Sequence, residues 1–328
     1  MTMKNRLNDD IAFWHWARAR QARGGSSWSS YWATLISATV ENAAPTHIIL
    51  TFPVAQTSLG ASDFTIAGFT VSSASWAGAV LTLVVTPAVL AYHRNLTITF
   101  VTTGETASVT NNVTMANTVG WYVAGDGSST YVTKDGSDFV SVWKDLSGAN
   151  HPLNQATGTN QPKWLLNDGI AFDGIDNFMS SIFAWNQPST YYIVYKQTFV
   201  ADKYILDGAT LNGTQLSMRG TGTPPTIRAG SPSLCPNLIN TAANNIYQIL
   251  RLCFNGTSSK IQVNNNTATT WNSGANNPGG IYLGATQFIG TEGNITVKEI
   301  ILKTTDDDAA TETAIYNYLA NKYGFATI

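Results

Sequence analysis

One pair of carboxylates has a spacing that could support chemistry. Asp173 and Asp176 lie three residues apart in the segment FDGIDNF. Such a pair could act as two catalytic carboxyl groups or supply oxygen ligands to a calcium ion. Asp-Gly and Asp-Asn are also typical turn sequences, and in that interpretation the acids only place Phe172 and Phe178 in the core. We favour the turn and predict no metal or other cofactor, with calcium as the ion these two acids could hold.

A second segment combines an aromatic ring with side-chain amides. Residues 263–280 read VNNNTATTWNSGANNPGG, where Trp271 is flanked by asparagines that include Asn264, Asn266, Asn272 and Asn276. Sugar sites often pair an aromatic platform with amide groups that bind hydroxyls. The pattern predicts a carbohydrate-binding loop at these residues. The alternative is an Asn- and Gly-rich loop whose tryptophan closes the edge of a β-sandwich.

Recognisable catalytic motifs are missing from the sequence. It contains no Gly-x-Ser-x-Gly elbow, no His-Glu-x-x-His, no phosphate loop and no dinucleotide fingerprint. The histidines are far apart, at His15, His47, His93 and His151. A spatial triad remains open, but nothing in the sequence nominates one. We therefore predict no catalytic residues and a protein that is not an enzyme.

The first 35 residues differ chemically from the rest. They are locally basic and rich in tryptophan, and the residues of interest are Trp14, Trp16, Arg18, Arg20, Trp28 and Trp32. Large aromatic rings and arginine are enriched at the centres of protein interfaces. We predict that this segment docks on a partner protein. The alternative is an N-terminal extension that folds back on its own chain.

The overall composition excludes some classes of function. Of 328 residues, 44% are hydrophobic and only 12% are charged, with a net charge of -2. This balance provides no overall basic field for nucleic acid. No stretch is apolar enough to span a bilayer or to serve as a clear secretory signal, so we expect no membrane insertion. Cys235 and Cys253 could form one bridge at most, which the sequence leaves open.

Residues 36–116 contain short β-branched segments separated by Pro, Gly and Asn. In AVLTLVV and LTITF, apolar residues alternate with threonine, which is typical of strands with one buried face. The segment LGASDFTIAGFTVSSASWAGAVLTLVVTPAV, followed by NLTITFV, resembles bacterial Ig-like domains. That resemblance implies a small β-sandwich that serves as a spacer.

Residues 117–328 continue with strands and finish with a helix. YYIVYK, ILDG, LRLCFNGTSSKIQVNN, GGIYLGA and NITVKEIILK precede IYNYLANKYG, which places Ile315 and Leu319 on one helical face. With VWKDLSGANHPLNQ and QPKWLLNDGIAFDGIDNFM, this ordered set resembles a concanavalin A-like, laminin G-type jelly roll. Glucanases with that fold carry Glu-x-Asp-x-x-Glu, and none of the five glutamates of this chain forms that motif.

These observations predict an all-β protein in three parts. They are an N-terminal anchoring segment (1–35), a small Ig-like sandwich (36–116) and a larger concanavalin A-like sandwich with a C-terminal helix (117–328). We predict a bacteriophage virion protein, such as a head fibre, capsid decoration or tail component, docked to other virion proteins through residues 1–35. On the virion surface it would display a lectin-like domain towards a bacterial glycan, as a homo-oligomer. The alternatives are a secreted or cell-surface carbohydrate-binding adhesin and a glycan-cleaving enzyme.

Overall fold

The computed structural model describes residues 35–54, 59–198, 203–210, 215–219, 226–231, 233–234, 240–241, 243–288 and 291–327. The chain divides into two compact units between Thr114 and Met115. The predicted all-β class is confirmed, with a smaller sandwich before a larger one and one C-terminal helix. The predicted anchoring segment lies outside the described residues. Within the described residues, no helix is long and apolar enough to cross a membrane.

The first unit is built from eight short strands: β1 (Ser37–Glu41), β2 (His47–Thr51), β3 (Phe64–Ile66), β4 (Thr70–Ala77), β5 (Val80–Thr86), β6 (Thr97–Phe100), β7 (Thr106–Ser108) and β8 (Thr110–Asn112). Five of them form one sheet in the order β4-β5-β2-β1-β8, and β3-β6-β7 form the other.

The alternating pattern of β5 explains how the two sheets face each other. Leu81, Leu83 and Val85 are fully buried, while the residues between them are half-buried. Phe64 and Phe100 reach the same core from the smaller sheet, where their rings lie 5.8 Å apart. The described residues of this unit therefore form two facing sheets, as the sequence predicts, while the bounds 36–116 stay a prediction. Its relationship to bacterial Ig-like domains stays a prediction.

The second unit contains eighteen strands among its described residues: β9 (Thr118–Val123), β10 (Val132–Lys134), β11 (Val140–Trp143), β12 (Leu153–Asn154), β13 (Lys163–Leu165), β14 (Gly169–Asp173), β15 (Met179–Ile182), β16 (Ser189–Gln197), β17 (Lys203–Asp207), β18 (Gln215–Arg219), β19 (Thr226–Ser231), β20 (Ser233–Leu234), β21 (Asn240–Thr241), β22 (Gln248–Phe254), β23 (Ser259–Val263), β24 (Thr269–Trp271), β25 (Gly280–Leu283) and β26 (Asn294–Lys303). Short 3-10 turns occur at Ser129–Tyr131, Gly158–Asn160 and Gly256–Ser258 in this unit, and at Ala61–Asp63 in the first unit.

These strands form two large sheets. The first, which we call the helix-covered sheet, has the order β13-β14-β26-β16-β22-β23-β24, with β9 also paired to β26. The second, the open sheet, has the order β10-β11-β12-β15-β25-β17-β18-β19-β20, with β21 on β19. One hydrophobic core that includes Trp143, Tyr191 and Leu283 joins them.

The helix α1 (Ala309–Tyr323) covers the outer face of the helix-covered sheet. Asp308 caps its first turn by accepting from the Thr311 amide at 2.7 Å, and Gly324 ends it in the left-handed conformation. Ile315 and Leu319 are buried, as the helical periodicity predicts. With apolar surface on both of its faces, strand β16 is buried throughout apart from Lys196, which explains its nearly continuous apolar sequence.

Candidate functional site

The outer face of the open sheet carries a row of side chains set by strand register. Asn154, Ser180, Tyr282 and Asp207 occupy directly opposed positions on β12, β15, β25 and β17. Residues one step away, such as Leu206 and Leu283, point into the core. The only α-helix among the described residues packs on the other sheet. Within this row Asn154 is exposed and Ser180 and Tyr282 are half-buried, whereas Asp207 is buried.

Two aromatic rings form a platform on this face. Phe178 and Tyr282 stack with their ring centroids 6.0 Å apart and their planes 22° apart, and both are half-buried. Ile182, on the same face of β15, is 75% exposed. Flat aromatic faces beside apolar surface are suited to the C–H face of a sugar ring. Phe178, Tyr282 and Ile182 together give this face an apolar surface beside the polar row.

Asp207 ends strand β17 beside this platform and is fully buried. Its carboxylate accepts hydrogen bonds from the backbone amides of Gly208 (2.8 Å) and Gln287 (3.3 Å). Burial raises the pKa of Asp207 to about 6, although these two hydrogen bonds oppose the shift. A carboxyl group with this pKa can hold a proton at mildly acidic pH and release it near neutrality.

The connection from β25 to β26 covers Asp207. Gln287, on this connection, donates from its side chain to the Thr210 carbonyl at 2.7 Å, and Phe288 is 67% exposed. Glu292, near the end of the connection, is buried and forms a parallel bridge with Tyr204 of β17. Tyr204 precedes Asp207 by three positions, so the backbone positions of Glu292 and Asp207 are offset by roughly 10 Å along the strand.

Asp173 and Asp176 occupy a turn rather than a metal cluster. The Asp173 carboxylate accepts from the backbone amides of Ile175 (2.9 Å) and Asp176 (3.4 Å), and Asp176 accepts from the Asn177 side chain. No group of three or more His, Cys, Asp or Glu residues in the described part of the chain could hold a metal ion. The hydrogen bonds fit the turn interpretation, and Phe172 lies in the core as expected. Phe178 does not: it is half-buried and stacks on Tyr282 of the outer face.

Trp271 is placed differently from an exposed sugar platform. It is 7% exposed, and its ring packs edge-on against Phe254 with the centroids 5.6 Å apart. The asparagines bend the chain around it: Asn264 accepts from the Ile249 amide and Asn272 from the Gly274 amide, while backbone carbonyls of Asn266 and Asn276 accept from glutamine side chains. Carbohydrate binding at this loop stays a prediction.

Other predicted residues cannot be placed. The docking residues Trp14, Trp16, Arg18, Arg20, Trp28 and Trp32 lie outside the described residues, as does Cys235. Cys253 carries a free thiol buried on β22.

Nothing in the local sequence singles out the Asp207 site. ILDG and GGIYLGA identify β17 and β25 as strands, but Asp207 resembles any aspartate before a turn glycine. Its proximity to Tyr282 depends on the pairing of strands 75 positions apart, which local pattern cannot reveal. Only the raised pKa and the burial distinguish it.

Comparisons with known proteins reveal distant likeness of fold. No protein-family model matches the chain, and no curated protein matches it. Trypanosoma rangeli sialidase in complex with sialic acid matches at 12% identity and a TM-score of 0.46, over 87% of this chain and 53% of that one. An arabinofuranosidase complexed with arabinofuranosyl-alpha-1,2-xylobiose matches at 14% identity and 0.43, over 64% and 60%. The chain thus spans less than two thirds of these structures.

These findings contradict the prediction of a non-enzymatic bacteriophage virion protein. The matched structures are a sialidase and an arabinofuranosidase, which are enzymes, and none of those compared is a phage protein. The same comparison overturns the prediction that the chain is not an enzyme. An all-β fold is what remains of those predictions. At this identity the likeness concerns the fold alone and assigns no activity.

Proposed function

We propose that residues 115–328 cleave a glycan that is held on the outer face of the open sheet. The observation that carries this proposal is Asp207, a fully buried carboxyl group whose pKa is raised to about 6 beside the Phe178 and Tyr282 platform. Strongly shifted carboxyl groups next to an accessible aromatic surface are candidates for general acids.

The roles of the two carboxyl groups follow from their surroundings. Asp207, protonated at mildly acidic pH, would give its proton to the oxygen that leaves the anomeric carbon. Glu292, whose backbone bridges Tyr204 of the same strand, would take a proton from the water that attacks that carbon. Access to Asp207 requires the Gln287 segment to move away, since Gln287 covers the acid.

The platform would position the sugar. A ring stacked on Tyr282 and Phe178 lies beside Ser180 and Asn154, whose side chains can bind its hydroxyl groups. Polysaccharides of bacterial surfaces are the first substrates to examine, because the composition of the chain is typical of extracellular β-structure.

The full-length chain is tested by release of reducing ends from capsular, cell-wall and storage polysaccharides across a pH range. Asp207→Asn and Glu292→Gln are each expected to lower kcat at least about a hundredfold. Tyr282→Ala is expected to raise KM, and Asp126→Asn, an exposed acid of the same unit, serves as the control. Cleavage that survives in Asp207→Asn, or the absence of cleavage across the panel, would overturn the proposal.

A further inference from the structure

A cluster of lysines and tyrosines lies on the helix-covered sheet, on the opposite side of the unit from Asp207. The ammonium groups of Lys196 and Lys298 lie 4.8 Å and 4.4 Å from the ring centroid of Tyr247. Lys298 is also 5.6 Å from the ring of Tyr323, and Lys322 is 5.3 Å from that ring. Three cations therefore converge on two aromatic rings.

The charges of this cluster are unequally paired. Lys196 forms a salt bridge with Asp168 at 2.7 Å, and Lys322 forms one with Glu299 at 2.7 Å. Lys298 instead donates to the backbone carbonyl of Asn167 at 3.0 Å. Within the described ranges it takes part in no salt bridge, so it is a half-buried cation held by a carbonyl oxygen and two ring faces.

The backbone directs Lys298 to this position. On β26, Glu299 pairs with Val194 and Val297 pairs with Tyr195, so Lys298 is the extra residue of a β-bulge. Bulges re-aim a side chain and often occur beside functional sites. The amides of Ala124 and Gly125 both donate to the Lys298 carbonyl, which fixes the bulge.

A glycine makes room for the lysine. A Cβ atom on Gly125 would lie 2.6 Å from the Cβ and Cγ atoms of Lys298, so a larger residue would collide with the stem of that side chain. The bulge, the glycine and the two rings are separate features, and all three place one ammonium group.

We propose that Lys298 and Lys196 bind an oxyanionic group of a ligand, a carboxylate, sulfate or phosphate, beside the ring of Tyr247. Both ammonium groups can donate charge-assisted hydrogen bonds to such an oxygen. The anion would add a direct ion pair to the longer-range attraction that Lys298 has to the Asp168 carboxylate. Exposed Asp126 accepts from the Ser128 amide, and it adds weakly to the burial and the Glu299 charge that raise the pKa of Tyr323.

The electrostatics of Lys298 agree with this assignment. Burial lowers the pKa of Lys298; attraction to Asp168 opposes that shift and repulsion from Lys196 adds to it. A bound anion would raise the pKa again. Anion binding is therefore expected to strengthen as pH falls through the titration of Lys298, and to weaken with salt.

The experiment is an NMR titration of the full chain at low salt with inorganic phosphate, with glucuronate and with neutral glucose. Saturable shifts at Lys298 and Tyr247 are expected with the two anions and none with glucose. Tighter binding of glucuronate would identify an acidic sugar as the source of the anion, and tighter binding of phosphate an inorganic or phosphorylated ligand.

Variants make the test specific. Lys298→Gln is expected to weaken anion binding at least about tenfold, and Lys298→Arg to retain most of it. Lys163→Gln is the matched control, because Lys163 also lies over an aromatic ring, 5.8 Å from that of Phe139. Shifts at Lys163 as large as those at Lys298, or equal losses in the two Gln variants, would overturn the site. Its failure leaves the Asp207 proposal untouched, since that concerns the other sheet.

Discussion

The indole Nε1 of Trp121 donates to Oε1 of Glu299 across 2.7 Å, and joins residues 178 positions apart in the sequence. Both residues are buried. The same carboxylate accepts from Tyr318 (3.0 Å), Lys322 (2.7 Å) and Tyr323 (2.7 Å) of helix α1. One fully satisfied carboxylate therefore ties β9, β26 and the last turns of the helix together.

Glu299→Gln is expected to destabilise this unit by about 3 kcal/mol. The side-chain NH2 group of glutamine would face hydrogen-bond donors and could not accept from them. Lys322 would also lose the negative charge that pairs with it. Hydrogen exchange of β26 amides in increasing urea measures the loss. Asp126→Asn removes an exposed carboxylate of the same unit and should change little. Equal stability of the two variants would refute a structural role for the Glu299 cluster.

Asp207→Asn is expected to change how stability depends on pH. Burial raises the pKa of Asp207 from 3.8 to about 6, so between these values the folded protein holds a proton that the unfolded chain has released. The protonated carboxyl group therefore favours the folded state most at low pH. This contribution is lost as pH rises through about 6, and above that pH the free energy of unfolding is lower by about 3 kcal/mol. The asparagine variant should be less sensitive to pH in that window, as thermal unfolding at pH values on either side of it would reveal. An unchanged slope would contradict the shift.

Glu312→Gln is expected to cost about 3 kcal/mol, since it leaves Arg251 without a carboxylate. Arg251 Nη1 contacts Glu312 Oε2 with side-chain exposures of only 13% and 11%. Urea unfolding at low and high salt measures the effect, which burial should make insensitive to salt. Asp138→Asn breaks a more exposed pair with Lys134 and should cost less than about 1 kcal/mol. Similar losses in both would contradict this distinction.

Trp271→Ala is expected to lower the free energy of unfolding by about 3–5 kcal/mol, because the ring fills core space against Phe254. Trp271→Phe should recover part of that loss. If Trp271→Ala instead left stability unchanged and removed only glycan binding, the sugar-platform prediction for residues 263–280 would be supported.

Local pattern predicted the strands and the helix well. The alternation of AVLTLVV became β5, the apolar run IYQILRLCF became β22 inside a sheet, and Asp308 and Gly324 bound the helix as capping residues should. These features depend on neighbours within a few positions, so the sequence contains the information directly.

The candidate sites depend on pairing across the chain. Asp207 meets Tyr282 only through the register of β17 and β25, and Lys298 turns outward only because β26 bulges against β16. A shift of one residue in either pairing would turn these side chains to the other face. The asparagines around Trp271 are ambiguous for a similar reason, since amides in turns and amides in sugar sites look alike in a sequence.

Strand β26 pairs with β16 along one side and with β14 and then β9 along the other. During synthesis on a ribosome, those three strands emerge well before the strand that must lie between them. Until residues 294–303 appear, they expose unpaired edges that could pair with other chains. Assembly of this sheet must therefore wait until residues 294–303 have been synthesised, and a chaperone that shields strand edges before then would raise the yield of folded protein.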